Sequence, residues 1–218
     1  MEYSKSEWDL LLWPRSWHKR INTASLTLIP GIIWVGLFDV FLLVTTNSIL
    51  NDYILNSSSD TIPKIVFFFI VAIIIGFLDI FCFAWPIADL CRYIAKCSDK
   101  FIVPGFNIIF MKSYAYSHLP FMPLLLLASP SVLDIETLSR NTSFFAQALM
   151  YVLLILLYTQ RYWQLGIMLR TISVKSKIKF SGKLIISLAI IAWSSLSAQA
   201  LLFLVNVAYK TFGLLFGT

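Results

Sequence analysis

Two aspartates stand inside apolar stretches of the chain, and their placement is the clearest sign of chemistry. Asp39 and Asp79 each belong to the motif G-x-x-D-x-F, which occurs twice, 40 residues apart. A carboxylate in hydrocarbon is costly unless it is paired, hydrated or protonated. The pair could form a polar path, a proton-responsive site or a docking point for a partner's cation. Alternatively, each carboxyl hydrogen-bonds to a neighbouring helix, and the repeat reflects glycine packing.

A second polar segment contains Tyr114, Tyr116 and His118. His118 could titrate near neutral pH, and it could pair with Asp79 if the helices pack with the right faces. The alternative is an interfacial aromatic belt around a hydrogen-bonded histidine. A single histidine without a second ligand does not make a metal site.

A third feature is the basic run RTISVKSKIKFSGK at positions 170–183, which contains no acid. Such a run is attracted to anionic lipid, and it could also dock a partner. Its candidate docking residues are Arg170, Lys175, Lys177, Lys179 and Lys183. The serines of 194–197 have no base at a recognisable spacing, so they predict helix packing. The sequence shows no catalytic, cofactor or metal motif.

These residues must be positioned by helices in a membrane. Hydrophobic residues make up 59% of the chain and charged residues only 13%, whereas soluble domains carry about 25% charged residues. A soluble domain is therefore excluded. The composition predicts an all-α, polytopic integral membrane helical bundle.

The apolar stretches predict five transmembrane helices, because each needs about 20 residues. We expect a single membrane domain at 25–218, with spans at about 26–46, 65–87, 116–133, 144–160 and 184–209. We expect an interfacial or broken piece at 101–116. Residues 1–24 predict a cytoplasmic lead with an amphipathic interfacial helix, whose apolar face holds Trp8, Leu11, Leu12 and Trp17.

The positive charges predict the orientation. With a cytoplasmic N-terminus, fourteen of the 17 lysines and arginines fall on the cytoplasmic side. The opposite orientation would invert this asymmetry. We therefore expect the N-terminus inside and the C-terminus outside.

Three segments carry a family resemblance: LLWPRSWHKRI, KSYAYSHLPFMPLLLL and WQLGIMLRTISVKSKIKFSGKLIISLAI. Together with five spans, they resemble the Yip-domain family of Rab-interacting membrane proteins and their bacterial relatives. The Asp-Leu-Tyr-Gly-Pro signature of the eukaryotic members is absent, with Asp9-Leu10 at most a remnant. The resemblance thus indicates a bacterial-type member in the cytoplasmic membrane.

The resemblance implies a non-enzymatic accessory or assembly protein. Its partner would be another membrane protein, plausibly an ABC-type exporter involved in protection against antimicrobial peptides or toxins. Membrane lipids are expected partners, and nucleic acid and cofactors are not. The alternatives are a small proton- or cation-coupled transporter or channel that uses Asp39 and Asp79, a membrane-trafficking adaptor, or an enzyme acting on lipid. The repeated motif links only the first two spans, unlike the inverted repeats of many transporters.

Overall fold

The structure is a computed structural model that describes residue 9 and residues 12–46, 61–123 and 143–216. This part of the chain is helical and contains no strand. Short 3-10 turns at Ser25–Leu28 and Leu119–Phe121 accompany the α-helices. The α-helices of the described residues are α1 (Arg15–Arg20), α2 (Ile29–Thr46), α3 (Thr61–Cys97), α4 (Phe106–Ser117), α5 (Phe144–Lys175) and α6 (Phe180–Phe216).

Within the described residues, four helical segments are long and apolar enough to cross a membrane: Ser25–Leu42, Phe68–Cys97, Phe144–Lys175 and Phe180–Phe203. The predicted all-helical, membrane-type architecture is confirmed at this level. The predicted number of five spans is not confirmed, because the span expected at 116–133 lies mostly outside the described residues. The fourth predicted span is longer than 144–160, since α5 continues without a break to Lys175.

The interfacial or broken piece expected at 101–116 consists largely of one short helix. Residues 106–117 form α4, which is almost entirely buried among the other helices. Twelve residues rise only about 18 Å, so α4 is too short to cross a bilayer. Distant groups satisfy the lysine of this buried helix: the Lys112 ammonium donates to the Asn22 carbonyl oxygen at 2.9 Å and also to the Asn22 amide oxygen and the Thr27 hydroxyl.

One end of the bundle is packed much more tightly than the other. We call it the basic end; it comprises α1, the link at 98–105 and the link at 176–179. The largest hydrophobic cluster joins the second half of α3, α4 and the adjoining ends of α5 and α6. Towards the opposite end the helices bury little: only 6% of the apolar stretch in Phe144–Lys175 is buried, against 39% in Phe68–Cys97. Among the described residues, the helices are therefore packed closely at the basic end and loosely towards the other end.

Two glycines bring α2 and α3 into backbone contact. A Cβ atom on Gly36 would lie 1.7 Å from the Ala72 carbonyl oxygen, and one on Gly76 would lie 2.1 Å from the Ile32 carbonyl oxygen. No side chain fits at either place, so the helices cross where both residues are glycine. The glycine half of the repeated motif thus has a packing role.

Candidate functional site

Asp79 lies in a buried pocket of aromatic residues at the contact of α3 and α4. The Tyr114 hydroxyl donates a hydrogen bond of 2.7 Å to the Asp79 carboxylate. The Tyr114 ring stacks on Phe83, with 4.2 Å between the ring centroids. This arrangement matches the structural alternative for this aspartate, in which the carboxyl holds a neighbouring helix.

Asp39 is placed differently from Asp79, although the two share a motif. The helices are antiparallel and cross at Gly36 and Gly76, so each aspartate lies three residues beyond the crossing in its own direction. At 1.5 Å per residue, this puts them about 9 Å apart along the helix axes. The Asp39 Oδ2 atom is buried and has no hydrogen-bond partner among the described residues. The two carboxyls are close enough to interact electrostatically.

The residues of the segment from Tyr114 to His118 contact two different parts of the molecule, the helical bundle and the lead. The His118 Nδ1–H donates to the Tyr114 carbonyl oxygen at 3.0 Å, and its ring packs edge-on against Phe38. Tyr114, rather than His118, therefore makes the hydrogen bond to Asp79. Tyr116 instead packs against the lead, with its ring centroid 5.5 Å from that of Trp17.

The lead is docked on the bundle by His18, which is fully buried. Its Nε2–H donates to the Leu12 carbonyl oxygen at 2.9 Å, while its Nδ1 lies 2.8 Å from the Thr171 hydroxyl. The Ser113 hydroxyl lies 2.6 Å from the same Thr171 oxygen. A neutral His18 satisfies all these groups, because Thr171 then donates to Nδ1 and Ser113 donates to Thr171. No role was predicted for this histidine from the sequence.

The surroundings of His18 favour its neutral form. Burial lowers the pKa of His18 below the ordinary value of 6.5, and the nearby Lys175 charge lowers it further. The hydrogen bond to the Leu12 carbonyl opposes these effects. Because desolvation is the largest of these causes, the docked histidine resists protonation.

Two of the basic residues that we expected to face lipid or a partner contact the lead. Arg170 forms an ion pair with Asp9. The Lys175 ammonium donates to the carbonyl oxygens of Lys19 at 2.8 Å and Ile21 at 3.0 Å, at the C-terminal end of α1. Cations commonly bind the carbonyls at a helix C-terminus. One signal was present in the sequence: Asp9 is an acid in the lead, and the run at 170–183 has none of its own.

The remaining members of the basic run are placed apart from one another. Lys177 and Lys179 are exposed in the link between α5 and α6. Lys183 is half-buried in the first turn of α6 and faces a cavity. The docking residues proposed from the sequence therefore do not form one continuous patch.

That cavity opens between the lead, α5 and the start of α6. Its volume is about 630 Å³. Its walls combine cations with apolar side chains, and among the described lining residues there is no carboxylate. The lining residues are Leu12, Arg15, Lys19, Gly166, Leu169, Arg170, Ser173, Val174 and Lys183.

The serines of α6 bond within their own helix. Ser194 and Ser195 donate to the Ile191 carbonyl oxygen, and Ser197 donates to that of Ser194. Trp193 makes a hydrogen bond to α3: its indole N–H donates to the Cys82 carbonyl oxygen at 3.0 Å. Within the described ranges, no three His, Cys, Asp or Glu side chains are grouped as a metal site would require.

Four long apolar helices and a set of buried polar contacts indicate a helical membrane protein. No protein-family model, no curated protein and no solved structure matches the chain. The resemblance to the Yip-domain family therefore stays a prediction.

Proposed function

We propose that this protein is a non-enzymatic integral membrane accessory protein that binds another membrane protein. The partner that the family resemblance favours is an ABC-type exporter involved in protection against antimicrobial peptides or toxins. In this proposal the basic end lies in the cytoplasm, at the inner face of a bacterial membrane, and the loosely packed end of the bundle receives the partner's helices.

The observation that carries the proposal is an exposed face of α5. Tyr151, Ile155 and Tyr158 lie at helical spacing on this face, and they are 60%, 61% and 76% exposed. Tyr162 continues the same stripe by a further turn and is 69% exposed. A phenolic hydroxyl within hydrocarbon lacks water and gains from a partner that can hydrogen-bond to it. A second helix laid along this stripe would supply such groups, whereas lipid tails would not.

Photo-cross-linking from the α5 face tests the proposal. A photoreactive amino acid replaces Ile155 in one variant, and Ile73 in a matched variant. Ile73 is an isoleucine on α3 that is also exposed, at 45%. We expect the position 155 probe to give a discrete adduct whose mass spectrum identifies an ABC-type exporter, and the position 73 probe to give mainly lipid adducts. Exporter peptides at neither position, or equally at both, would contradict the proposal.

A functional assay complements the cross-linking. Cells that carry Tyr151→Ala and Tyr158→Ala together are expected to become as sensitive to antimicrobial peptides as cells without the protein, since the stripe loses two of its three tyrosine rings. The matched control is Phe69→Ala with Ile73→Ala, which removes two exposed apolar side chains from α3. Equal sensitivity in both double variants would point to general destabilisation rather than to partner binding.

A second candidate function is proton or cation movement through the aspartate pair. It is favoured by the buried Asp39 oxygen that has no hydrogen-bond partner among the described residues, because such an atom could accept a proton or a cation. Proteoliposomes with a pH-sensitive or cation-sensitive dye test this function. Flux above that of protein-free liposomes, lost in Asp39→Asn, is the expected result. Flux at background level would exclude it.

A further inference from the structure

We propose that the cavity beside the lead binds the phosphate group of an anionic membrane lipid. The ligand chemistry is a phosphate ester anion, and the source to which we commit is a lipid headgroup. This inference goes beyond the proposed accessory function, because it requires no partner protein.

The cations of the cavity come from three separate elements. Arg15 and Lys19 lie one turn apart on α1, Arg170 lies in the last turns of α5, and Lys183 lies in the first turn of α6. Arg170 is also paired with Asp9. Four of the described lining residues are cations and none is an acid. Guanidinium and ammonium groups make charge-assisted hydrogen bonds to phosphate oxygens, which suits them to such an anion.

One wall of the cavity is apolar. Leu12 of the lead and Leu169 and Val174 of α5 line it together with the cations. A soluble phosphate ion gains nothing from such a wall. The glycerol and the first carbons of an acyl chain would lie against it, so the lining suits an amphiphile.

The cavity also lies at the depth where headgroups are expected. Lys183 immediately precedes the predicted span at 184–209, and the cavity lies at the end where α5 ends and α6 begins. Cationic pockets between helices at the cytoplasmic side of a membrane are a common form of headgroup site. At this depth, the acyl chains of a bound lipid would remain in contact with the bilayer.

Native mass spectrometry of the full chain tests this inference. The protein is released from mixed micelles that contain phosphatidylglycerol and phosphatidylcholine in equal amounts, and the retained lipids are counted. We compare Arg15→Gln with Lys19→Gln, made together, against Lys177→Gln with Lys179→Gln. The two pairs remove the same charge from the same end of the molecule, but Lys177 and Lys179 do not line the cavity.

We expect the wild-type protein to retain phosphatidylglycerol in preference to phosphatidylcholine. Loss of two cations near the ligand should lower that retention by roughly tenfold or more in the cavity variant, with a change of less than about twofold in the control. Equal losses in both variants, or no loss in either, would overturn the inference. Lys183→Gln alone gives an independent check that leaves the lead untouched, and an unchanged retention there would also count against the site.

A further arm separates the two sources of phosphate. Inorganic phosphate is added before release, in an excess large enough to saturate any simple anion site. Retained lipid that resists this addition supports the headgroup assignment. Displacement of the lipid by inorganic phosphate would overturn it, and the cavity would then be a site for a free anion.

Discussion

Tyr114 and Asp79 are a buried pair, and the energy of the pair depends on both members. When a buried acceptor loses its donor, its desolvation cost is no longer compensated. That cost is larger than the net contribution of one intact hydrogen bond to stability. We predict that Tyr114→Phe lowers the free energy of unfolding by about 1–3 kcal/mol. Tyr116→Phe is the matched control, because Tyr116 is half-buried and packs against the lead tryptophans through its ring. Thermal unfolding in detergent measures both variants, and an equal loss in the two would contradict the assigned hydrogen bond.

His18 makes the docking of the lead depend on pH. An accessible histidine titrates near pH 6.5, and burial lowers the pKa of His18 when it is docked. The undocked state therefore takes up the proton more readily. The contribution of neutral His18 to docking is fully present above pH 6.5. As the pH falls below that value, the equilibrium constant for docking decreases by up to about tenfold per pH unit, until the lowered pKa of the docked histidine is reached.

Hydrogen exchange of the α1 amides, corrected for intrinsic rates, tests this at pH 7.5 and pH 5.5. Faster corrected exchange is expected at the lower pH. The facing charges are Lys175 and the Asp9–Arg170 pair, and burial lowers the pKa of Lys175 and of Arg170. His18→Gln should remove the difference between the two pH values. If His18→Gln still exchanges faster at pH 5.5 than at pH 7.5, another group must titrate in that interval.

Among the elements, the crossing of α2 and α3 depends most strictly on residue type. Gly36→Ala would place a methyl group against the backbone of Ala72, which cannot move without displacing α3. We predict a loss of about 3 kcal/mol or more in stability, at the upper end of what overpacking costs. Gly166→Ala is the matched control, because its methyl group would meet only the end of the Leu12 side chain, at 2.6 Å. Comparable unfolding temperatures for the two variants would contradict the crossing.

The sequence predicted the long helices well and α4 poorly, for a physical reason. A run of apolar residues of sufficient length is a local property, so the spans can be read from windows of sequence. The burial of α4 is not local: Lys112 is satisfied by Asn22, and Ser113 by Thr171. These partners lie in other parts of the chain, and no window that contains α4 includes them.

For the site residues too, the sequence identified the residue types but not the contacts that they make. The repeated motif identified Asp39 and Asp79 because a carboxyl is rare in an apolar stretch. It could not show that one is hydrogen-bonded and the other is not, since that depends on where Tyr114 lies. The basic run likewise identified Arg170 and Lys175 as charged, but not that their charge is used within the chain.

The orientation of the whole molecule in the membrane can be tested by labelling its cysteines. Cys97 is exposed at the basic end, Cys91 is buried, and Cys82 is exposed within an apolar span. Because maleimides react with thiolates, which form poorly in hydrocarbon, we predict that a membrane-impermeant maleimide labels Cys97. Labelling should require permeabilised cells, and Cys97→Ser should abolish it. Labelling of intact cells would place the basic end outside.

The long-range contacts of the lead also limit how early during synthesis the fold can be completed. His18 binds Thr171, 153 residues further along the chain, and Asp9 binds Arg170 across 161 residues. At synthesis rates of about 5–20 residues per second, some 8–30 s separate the translation of these partners. The lead therefore cannot complete its contacts until α5 has been translated. The basic end closes late in biogenesis, and for that interval Asp9 and His18 are without the α5 groups that bind them in the folded molecule.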